Sequence, residues 1–146
     1  KNLLHASAVE VREQATGQHV LVSPHHVTVA AAAEPAGITA VAGYPTGRHH
    51  TLIKASEARL AIQSGAEEVW VSIDATLSDA TSILSELIAI REACPDPARV
   101  GLILPEAAPV RSLAQTAAAQ AGFHKIVIEK GSELSSSLPV VEFPAA

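Results

Sequence analysis

The chain has 146 residues, of which 48% are hydrophobic, 17% charged and 3% aromatic. This length suits one domain with a hydrophobic core and is too short for two domains of ordinary size. Fifteen acidic and ten basic residues give a net charge of −5. That balance, with few aromatic side chains, argues against nucleic-acid binding, which needs basic surfaces and stacking platforms.

The sequence also argues against a membrane partner. No apolar run approaches the roughly 20 residues that a membrane-spanning helix needs. The single cysteine leaves no internal disulfide, and such cysteine usage is typical of a reducing compartment. We therefore expect a cytoplasmic protein.

Five short, β-branched apolar runs predict strands, at residues 19–23, 38–42, 68–73, 100–104 and 125–129. A weaker run at 140–143 is a candidate sixth strand.

Longer stretches of helical period lie between these runs. The first covers residues 51–64, with Leu52, Ala55, Ala58 and Ile62 on its predicted buried face. The second covers 79–93, with Ser78 as its N-cap and Ile83, Leu84, Leu87 and Ile88 on its buried face. The third starts with Pro109 in its first turn and ends at Gly122. The connection at 27–34 leaves room for one or two helical turns.

A helix end, a glycine and then a strand recur along the chain, at Gly17, Gly37, Gly65 and Gly122. A glycine directly after a helix adopts the left-handed conformation that turns the chain into the next strand. The repetition predicts βα units and a parallel sheet. We expect residues 1–146 to form a single domain, with an irregular or truncated tail from about residue 131.

The most specific segment begins at residues 40–47, Ala-Val-Ala-Gly-Tyr-Pro-Thr-Gly. Lys-Ala-Ser-Glu-Ala follows at 54–58 and Gly-Ala-Glu-Glu-Val at 65–69. This order resembles the deoxyribose-phosphate aldolase family, in which Gly-Phe-Pro-x-Gly, Lys-x-x-Glu-Ala and Gly-Ala-Asp-Glu-Ile follow one another. The likeness extends over about residues 20–126.

The resemblance implies an α/β fold of the TIM (β/α)₈-barrel family, incomplete in this chain, with about five to seven parallel βα units. A full barrel needs about 250 residues. An incomplete barrel leaves open edges and an uncovered apolar interior. We therefore expect either a homo-oligomer, such as a homodimer that covers the open side, or a barrel closed by fewer strands using residues 140–143.

The resemblance also implies a lyase, which reversibly cleaves 2-deoxyribose 5-phosphate into acetaldehyde and glyceraldehyde 3-phosphate. The substrate would be a small phosphorylated sugar or aldehyde, held through a lysine Schiff base with no metal or other cofactor. The family's Phe-Ile-Lys lysine matches Lys125, which we expect to lie inward at mid-strand within reach of the barrel's carboxyl end. Lys130 is a competing candidate, and an ordinary strand-end lysine is the alternative for both.

Other positions depart from the family. Trp70 stands where the family has its proton-relay aspartate, and an indole cannot do that work; we expect it on the inner face near Lys125. Asp74 is a candidate acid–base group, with an N-cap or loop role as the alternative. Residues 141–146 contain no lysine to match the family's second one. These departures favour a different hypothesis, a non-catalytic aldolase-like scaffold that acts as a binding or assembly subunit.

Residues after strand ends are candidates for substrate binding. Arg48 is a candidate anion contact and Glu106 a candidate site carboxylate, with plain surface roles as the alternatives. Two histidine pairs, at 25–26 and 49–50, would lie on the face where barrels keep their active sites. Adjacent histidines rarely reach one metal ion, so we expect solvated loop histidines and no metal site.

Overall fold

The computed structural model describes residues 1–145, and it is built on one six-stranded sheet. All neighbouring strands are parallel and follow one another in chain order. The strands are β1 (His19–Val22), β2 (Gly37–Ala42), β3 (Glu68–Ser72), β4 (Arg99–Ile103), β5 (Lys125–Ile128) and β6 (Val140–Glu142). Each lies within a residue of its predicted bounds, and the number of strands falls within the predicted five to seven.

Five helices connect or precede the strands. They are α1 (Ala8–Gln14), α2 (Val27–Ala32), α3 (Thr51–Ser64), α4 (Ala80–Ala93) and α5 (Val110–Ala121), with a 3₁₀ turn at Pro24–His26 before α2. The predicted bounds of α3 are confirmed. Among residues 1–145, no helix is both long and apolar enough to cross a membrane.

The helix ends mostly follow the predicted chemistry. Gly65 and Gly122 terminate α3 and α5 with positive φ angles, as predicted. The predicted N-cap of α4 is wrong by one residue, because Asp79, not Ser78, accepts a hydrogen bond from the Thr81 backbone N–H at 3.1 Å. A carboxylate at this position satisfies an amide that the helix leaves unpaired.

The predicted buried face of α3 is partly wrong. Leu52 is 66% exposed, and the buried residues are Lys54, Ala55, Ala58 and Ala61. At about 100° per residue, Leu52 lies about 130° around the helix from the centre of that stripe. In α4, Ile83 and Leu87 are buried as predicted, but Glu86 and Ile90 complete the buried face in place of Leu84 and Ile88.

The inner face of the sheet carries its own apolar cluster. Leu21, Val41, Trp70 and Val127 come from four different strands and meet there. Side chains alternate across a strand, so the neighbouring residues face the helices in the main core. Strands so widely separated in the sheet share contacts because the sheet curls around this cluster.

The two chain ends meet across the curled sheet. Residues 1–3 run beside β1, where the Leu3 N–H donates to the Leu21 carbonyl at 2.8 Å. Asn2 Nδ2 donates to the Pro144 carbonyl, just beyond β6, at 3.0 Å. Residues 140–142 form β6, which pairs with β5 and covers part of the inner face. Among residues 1–145, no strand pairing joins β6 to β1, so the predicted closure of the barrel is not reached and the sheet is a curled half-barrel. The homodimer stays a prediction.

Candidate active site

The residues predicted to bind substrate, Arg48 and Glu106, and the candidate acid–base group Asp74 all follow the carboxyl ends of strands. Arg48 follows β2, Asp74 follows β3 and Glu106 follows β4. Arg48 Nε and Asp74 Oδ2 are 3.7 Å apart, so the structure brings these two together. Glu106 instead accepts a hydrogen bond from Ser132 Oγ at 2.6 Å.

Asp74 is engaged within its own loop. Its Oδ1 accepts hydrogen bonds from the Thr76 hydroxyl at 2.7 Å and from the Thr76 backbone N–H at 2.9 Å. These bonds, with a smaller contribution from Arg48, hold the pKa of the carboxyl below its ordinary value. A carboxylate with a lowered pKa is a poor proton donor near neutral pH, which favours the loop role over the acid–base role.

The most specific motif of the sequence forms the loop after β2. Gly43 and Gly47 have φ angles of +67° and +68°, in the left-handed region that favours glycine. A Cβ on Gly47 would lie 2.2 Å from the carbonyl carbon of Ile73. The loop therefore presses directly against the chain that leaves β3.

Two charged residues of α3 anchor this loop. Lys54 is 1% exposed, and its Nζ donates to the Gly47 carbonyl at 2.7 Å and to the Ser72 carbonyl at 3.2 Å. Glu57 Oε1 accepts from the Gly43 backbone N–H at 2.9 Å. The spacing of Lys-x-x-Glu puts both side chains on one helical face, so this part of the motif holds the loop in place.

A buried ion pair extends the anchor to the next helix. Lys54 Nζ lies 2.9 Å from Glu86 Oε1, which also accepts from Thr51 Oγ1 at 2.9 Å. Sequence reasoning missed both charged residues, because lysine and glutamate are almost never fully buried unless they are paired. The one available signal was the three-residue spacing of Lys54 and Glu57 in the motif.

Lys125 points inward, but its predicted position at mid-strand near the carboxyl end is wrong. It is the first residue of β5, and the buried mid-strand inward position belongs to Val127. The register explains this placement, because the His124 N–H donates to the Val100 carbonyl at 2.9 Å and strand pairing begins there. Lys125 Nζ lies 2.9 Å from Glu68 Oε2, at the amino end of the sheet. Barrel active sites lie at the opposite end.

Glu68 is the centre of an ion cluster at that amino end. It is buried, and it binds Lys125, Arg99 Nε at 3.0 Å and the indole N–H of Trp70. Burial acts to raise the pKa of the carboxyl, but hydrogen bonds from Lys125, Trp70 and Arg99 outweigh it and lower the pKa below its ordinary value. Glu68 therefore stays ionised and keeps its cations in place.

Aromatic side chains fill the inner face next to this cluster. Trp70 lies beside Lys125, as predicted. Both side chains lie over Gly101, where an added Cβ would be 2.9 Å from Trp70 Cδ1 and 3.0 Å from Lys125 Cγ. The Phe143 ring lies edge-on to Trp70 at a centroid distance of 5.7 Å and stacks on Tyr44 at 5.5 Å. Trp70 is 7% exposed, so little of the indole is left open to a substrate.

A pocket of about 240 Å³ opens at the carboxyl ends of the strands. The polar residues among those that line it are Tyr44, Thr46, Ser72, Glu106 and Glu129. Of the predicted site residues, only Glu106 lines it. Lys130 follows Glu129 in an exposed turn and is not among the lining residues.

The histidine pairs have local roles. His50 Nδ1 accepts from the Leu52 backbone N–H at 3.1 Å and so caps α3. The rings of His25 and His26 lie 3.9 Å apart, and burial, helped by His25, lowers the pKa of His26. Within residues 1–145, no three His, Cys, Asp or Glu side chains are placed to hold a metal ion together.

Comparison with known proteins confirms the resemblance seen in the sequence. No family model matches the chain. The chain is 48% identical to the deoxyribose-phosphate aldolase of Corynebacterium glutamicum, over 53% of this chain and 37% of that protein. The enzyme of the same name from Nocardia farcinica is 41% identical, over 61% of this chain and 40% of that protein. The chain thus spans about two fifths of the length of these relatives.

Solved structures share the fold. A structure of a putative deoxyribose-phosphate aldolase from Coccidioides immitis matches 91% of this chain and 58% of its own, with a TM-score of 0.71 and 24% identity. A tetrameric deoxyribose phosphate aldolase from Aeropyrum pernix matches 88% of this chain and 60% of its own, with a TM-score of 0.71 and 19% identity. The predicted α/β fold, an incomplete barrel of the aldolase type, is confirmed.

Proposed function

We propose that residues 1–146 form a single aldolase-like barrel unit that acts as a non-catalytic binding or assembly subunit. The observation that carries this proposal is the ion pair between Lys125 and Glu68 at the amino end of the sheet. A Schiff-base lysine must attack a carbonyl as a neutral amine. Here the Lys125 Nζ contacts the Glu68 carboxylate at 2.9 Å, at the end of the sheet opposite to the one where barrel active sites lie.

The filling of the inner face supports the same proposal. A substrate entering at the carboxyl ends would have to pass Trp70 and Val127 to reach Lys125, and both are buried in the inner cluster. The indole N–H of Trp70 also donates a hydrogen bond to Glu68. The indole is therefore part of the ion cluster, at the position where the family that the chain resembles has its relay aspartate.

A second candidate function is the lyase reaction, favoured by relatives of that name at 40–48% identity. In this alternative, Lys125 forms the Schiff base, Asp74 moves the proton, and Arg48 and Glu106 bind a small phosphorylated sugar or aldehyde. Lys125 would first have to leave Glu68. Of these residues, the structure pairs only Arg48 with Asp74.

A cleavage assay separates the two functions. The purified chain is incubated at high concentration with 2-deoxyribose 5-phosphate, and released acetaldehyde is measured with a coupled dehydrogenase. Our proposal predicts no release above that of the Lys125→Ala variant. Acetaldehyde release by the unmodified chain that Lys125→Ala abolishes would establish the lyase reaction.

We also propose that the chain assembles with copies of itself in the cytoplasm. Leu52, Ile53 and Leu60 of α3 are each more than half exposed, and apolar side chains gathered on one element mark interaction surfaces. Light scattering should give a mass above that of one chain. Replacing Ile53 and Leu60 by Glu should return the mass to that of a monomer, and a monomer before replacement would contradict the proposal.

A further inference from the structure

A groove of about 440 Å³ runs between α3 and the 3₁₀ turn before α2. Two residues of the turn, Pro24 and His25, line one side of it. The other lining residues all belong to α3, and they are Ile53, Ser56, Glu57, Leu60, Ala61 and Ser64. The groove is therefore mainly a surface of one helix.

The spacing of these α3 residues is that of a surface which receives side chains from another helix. In such packing, a side chain of one helix enters a space between four residues of the other, one or two turns apart along one face. Residues 53, 56, 57 and 60 enclose one such space, and residues 57, 60, 61 and 64 enclose the next. Ala61 and Ser64 are small, so the second space has room for a large apolar side chain.

The same helix carries a side chain that fits this space. Leu52 is 66% exposed, more than any other large apolar residue among residues 1–145, and it does not line the groove of its own chain. Leu52 and Leu60 lie four residues before and four residues after Ser56. In an antiparallel pair of α3 helices whose two-fold axis passes at Ser56, Leu52 of each copy therefore lies opposite Leu60 of the other. There it enters the space that Ala61 and Ser64 border.

The side chains at and near this axis are compatible with self-association. In a two-fold contact the residues nearest the axis meet their own copies, so a charge there would repel its counterpart. Ser56 is small, uncharged and exposed. Glu57 is half-buried, and its Oε1 accepts from the Gly43 backbone N–H at 2.9 Å. Arg59 is three residues from the axis, so its two copies would lie about 9 Å apart along the helices.

We propose that two copies of the chain associate through α3, in an antiparallel contact whose two-fold axis passes at Ser56. The inference rests on the proposed self-assembly and assigns it one orientation and one axis. The 14 residues of α3 span about 21 Å, so the contact is small. It belongs to the weak, reversible interfaces that bury less than about 1,200 Å², and the fraction of dimer should rise with protein concentration.

Cross-linking through an introduced cysteine tests the orientation. Ser56→Cys puts a thiol at the axis, where helices packed about 8–10 Å apart bring the thiols of the two copies within disulfide reach. Gln63→Cys, on the same exposed face, is the matched control, because its two copies would lie about 21 Å apart. The natural cysteine, Cys94, is buried. Under a mild oxidant at high protein concentration, Ser56→Cys should form a covalent dimer and Gln63→Cys should stay monomeric.

A charge placed at the axis tests the same contact without chemistry. Ser56→Glu should reduce the mass in light scattering to that of one chain, because it brings two like charges together at the axis. Gln63→Glu adds the same charge to the same helix, but its two copies would be separated by more than the Debye length of about 10 Å. It should leave the mass unchanged. Circular dichroism should show both variants folded, since both side chains are exposed.

The inference is overturned if the unmodified chain is a dimer but Ser56→Cys does not cross-link, if Gln63→Cys cross-links as readily, or if Ser56→Glu leaves the dimer intact. Each of these outcomes would leave self-assembly in place, in another orientation or on another surface. A chain that is monomeric at every concentration would overturn both the contact and the self-assembly. Acetaldehyde release in the cleavage assay would overturn the non-catalytic role alone.

Discussion

Lys125 and Glu68 are the first residues of two strands that both pair with β4, and their side chains meet on the inner face at 2.9 Å. On β4, Arg99 lies opposite Glu68, and Gly101 lies opposite both Trp70 and Lys125. The missing side chain of Gly101 leaves room for the lysine stem and for Trp70. The lysine that the resemblance presents as a nucleophile is thus held in a structural ion cluster.

Glu68→Gln should destabilise the chain and reduce the acid sensitivity of its stability. The pKa of Glu68 is lowered in the folded state, so its contribution is present above the unfolded-state pKa of about 4.3. It is lost as pH falls through the lower folded-state pKa. We expect a loss of about 2 kcal/mol at neutral pH, since both cations can return to water.

Urea unfolding followed from neutral pH down to about pH 3 checks this prediction. The Glu68→Gln variant should lose less unfolding free energy over that interval than the unmodified chain. Glu67→Gln, at the exposed neighbouring residue, should leave the curve unchanged. If the unfolding free energies of the unmodified chain and of Glu68→Gln fall by the same amount as the pH is lowered, the ion cluster is ruled out as a source of stability.

Lys54→Met should cost about 3 kcal/mol of unfolding free energy, because it leaves the carboxylate of Glu86 buried without its cation. The double variant Lys54→Met with Glu86→Leu should be more stable than the sum of the single variants predicts, because neither charge is left unpaired. Lys130→Met is the control at an exposed lysine. Additive single and double variants would contradict the buried pair.

Gly47→Ala and Gly17→Ala make a matched pair, since both glycines have a φ of +68°. Gly17 has no atom within 4 Å of a built Cβ, whereas a Cβ on Gly47 would collide with the backbone of Ile73. We expect Gly17→Ala to cost about 1 kcal/mol for conformation alone. Gly47→Ala should cost at least about 2 kcal/mol more. Equal losses in thermal unfolding would mean that the loop does not press on β3.

Phe143→Ala should expose the only tryptophan of the chain. The Phe143 ring contacts Trp70 and stacks on Tyr44, so its removal should admit water and shift the tryptophan emission to longer wavelength. We expect about 2 kcal/mol of lost stability, because the ring is only half-buried. Val9→Ala, at an exposed residue of α1, is the control. An unshifted emission would show that residues after β6 do not cover the inner face.

The sequence predicted the positions of the strands and helices better than it predicted the contacts of individual side chains. The β-branched runs and the glycines that end α3 and α5 are local signals, and they placed all six strands and the bounds of α3. The position of Lys125 depended on where β5 begins to pair with β4, which is a non-local property. The burial of Lys54 likewise depended on Glu86, thirty-two residues further along the chain. The spacing of apolar residues along the chain indicates neither the pairing of β5 with β4 nor the contact between Lys54 and Glu86.

Reductive trapping tests the central claim most directly. The chain is treated with acetaldehyde and a mild borohydride, digested, and mapped by mass spectrometry for ethylated lysines, with Lys130 as the exposed internal reference. We predict that Lys125 gains no more adduct than Lys130 in the unmodified chain, and that Glu68→Gln raises labelling at Lys125. Rapid, stoichiometric labelling of Lys125 in the unmodified chain, ahead of Lys130, would contradict the structural role of this lysine and restore it as a Schiff-base nucleophile.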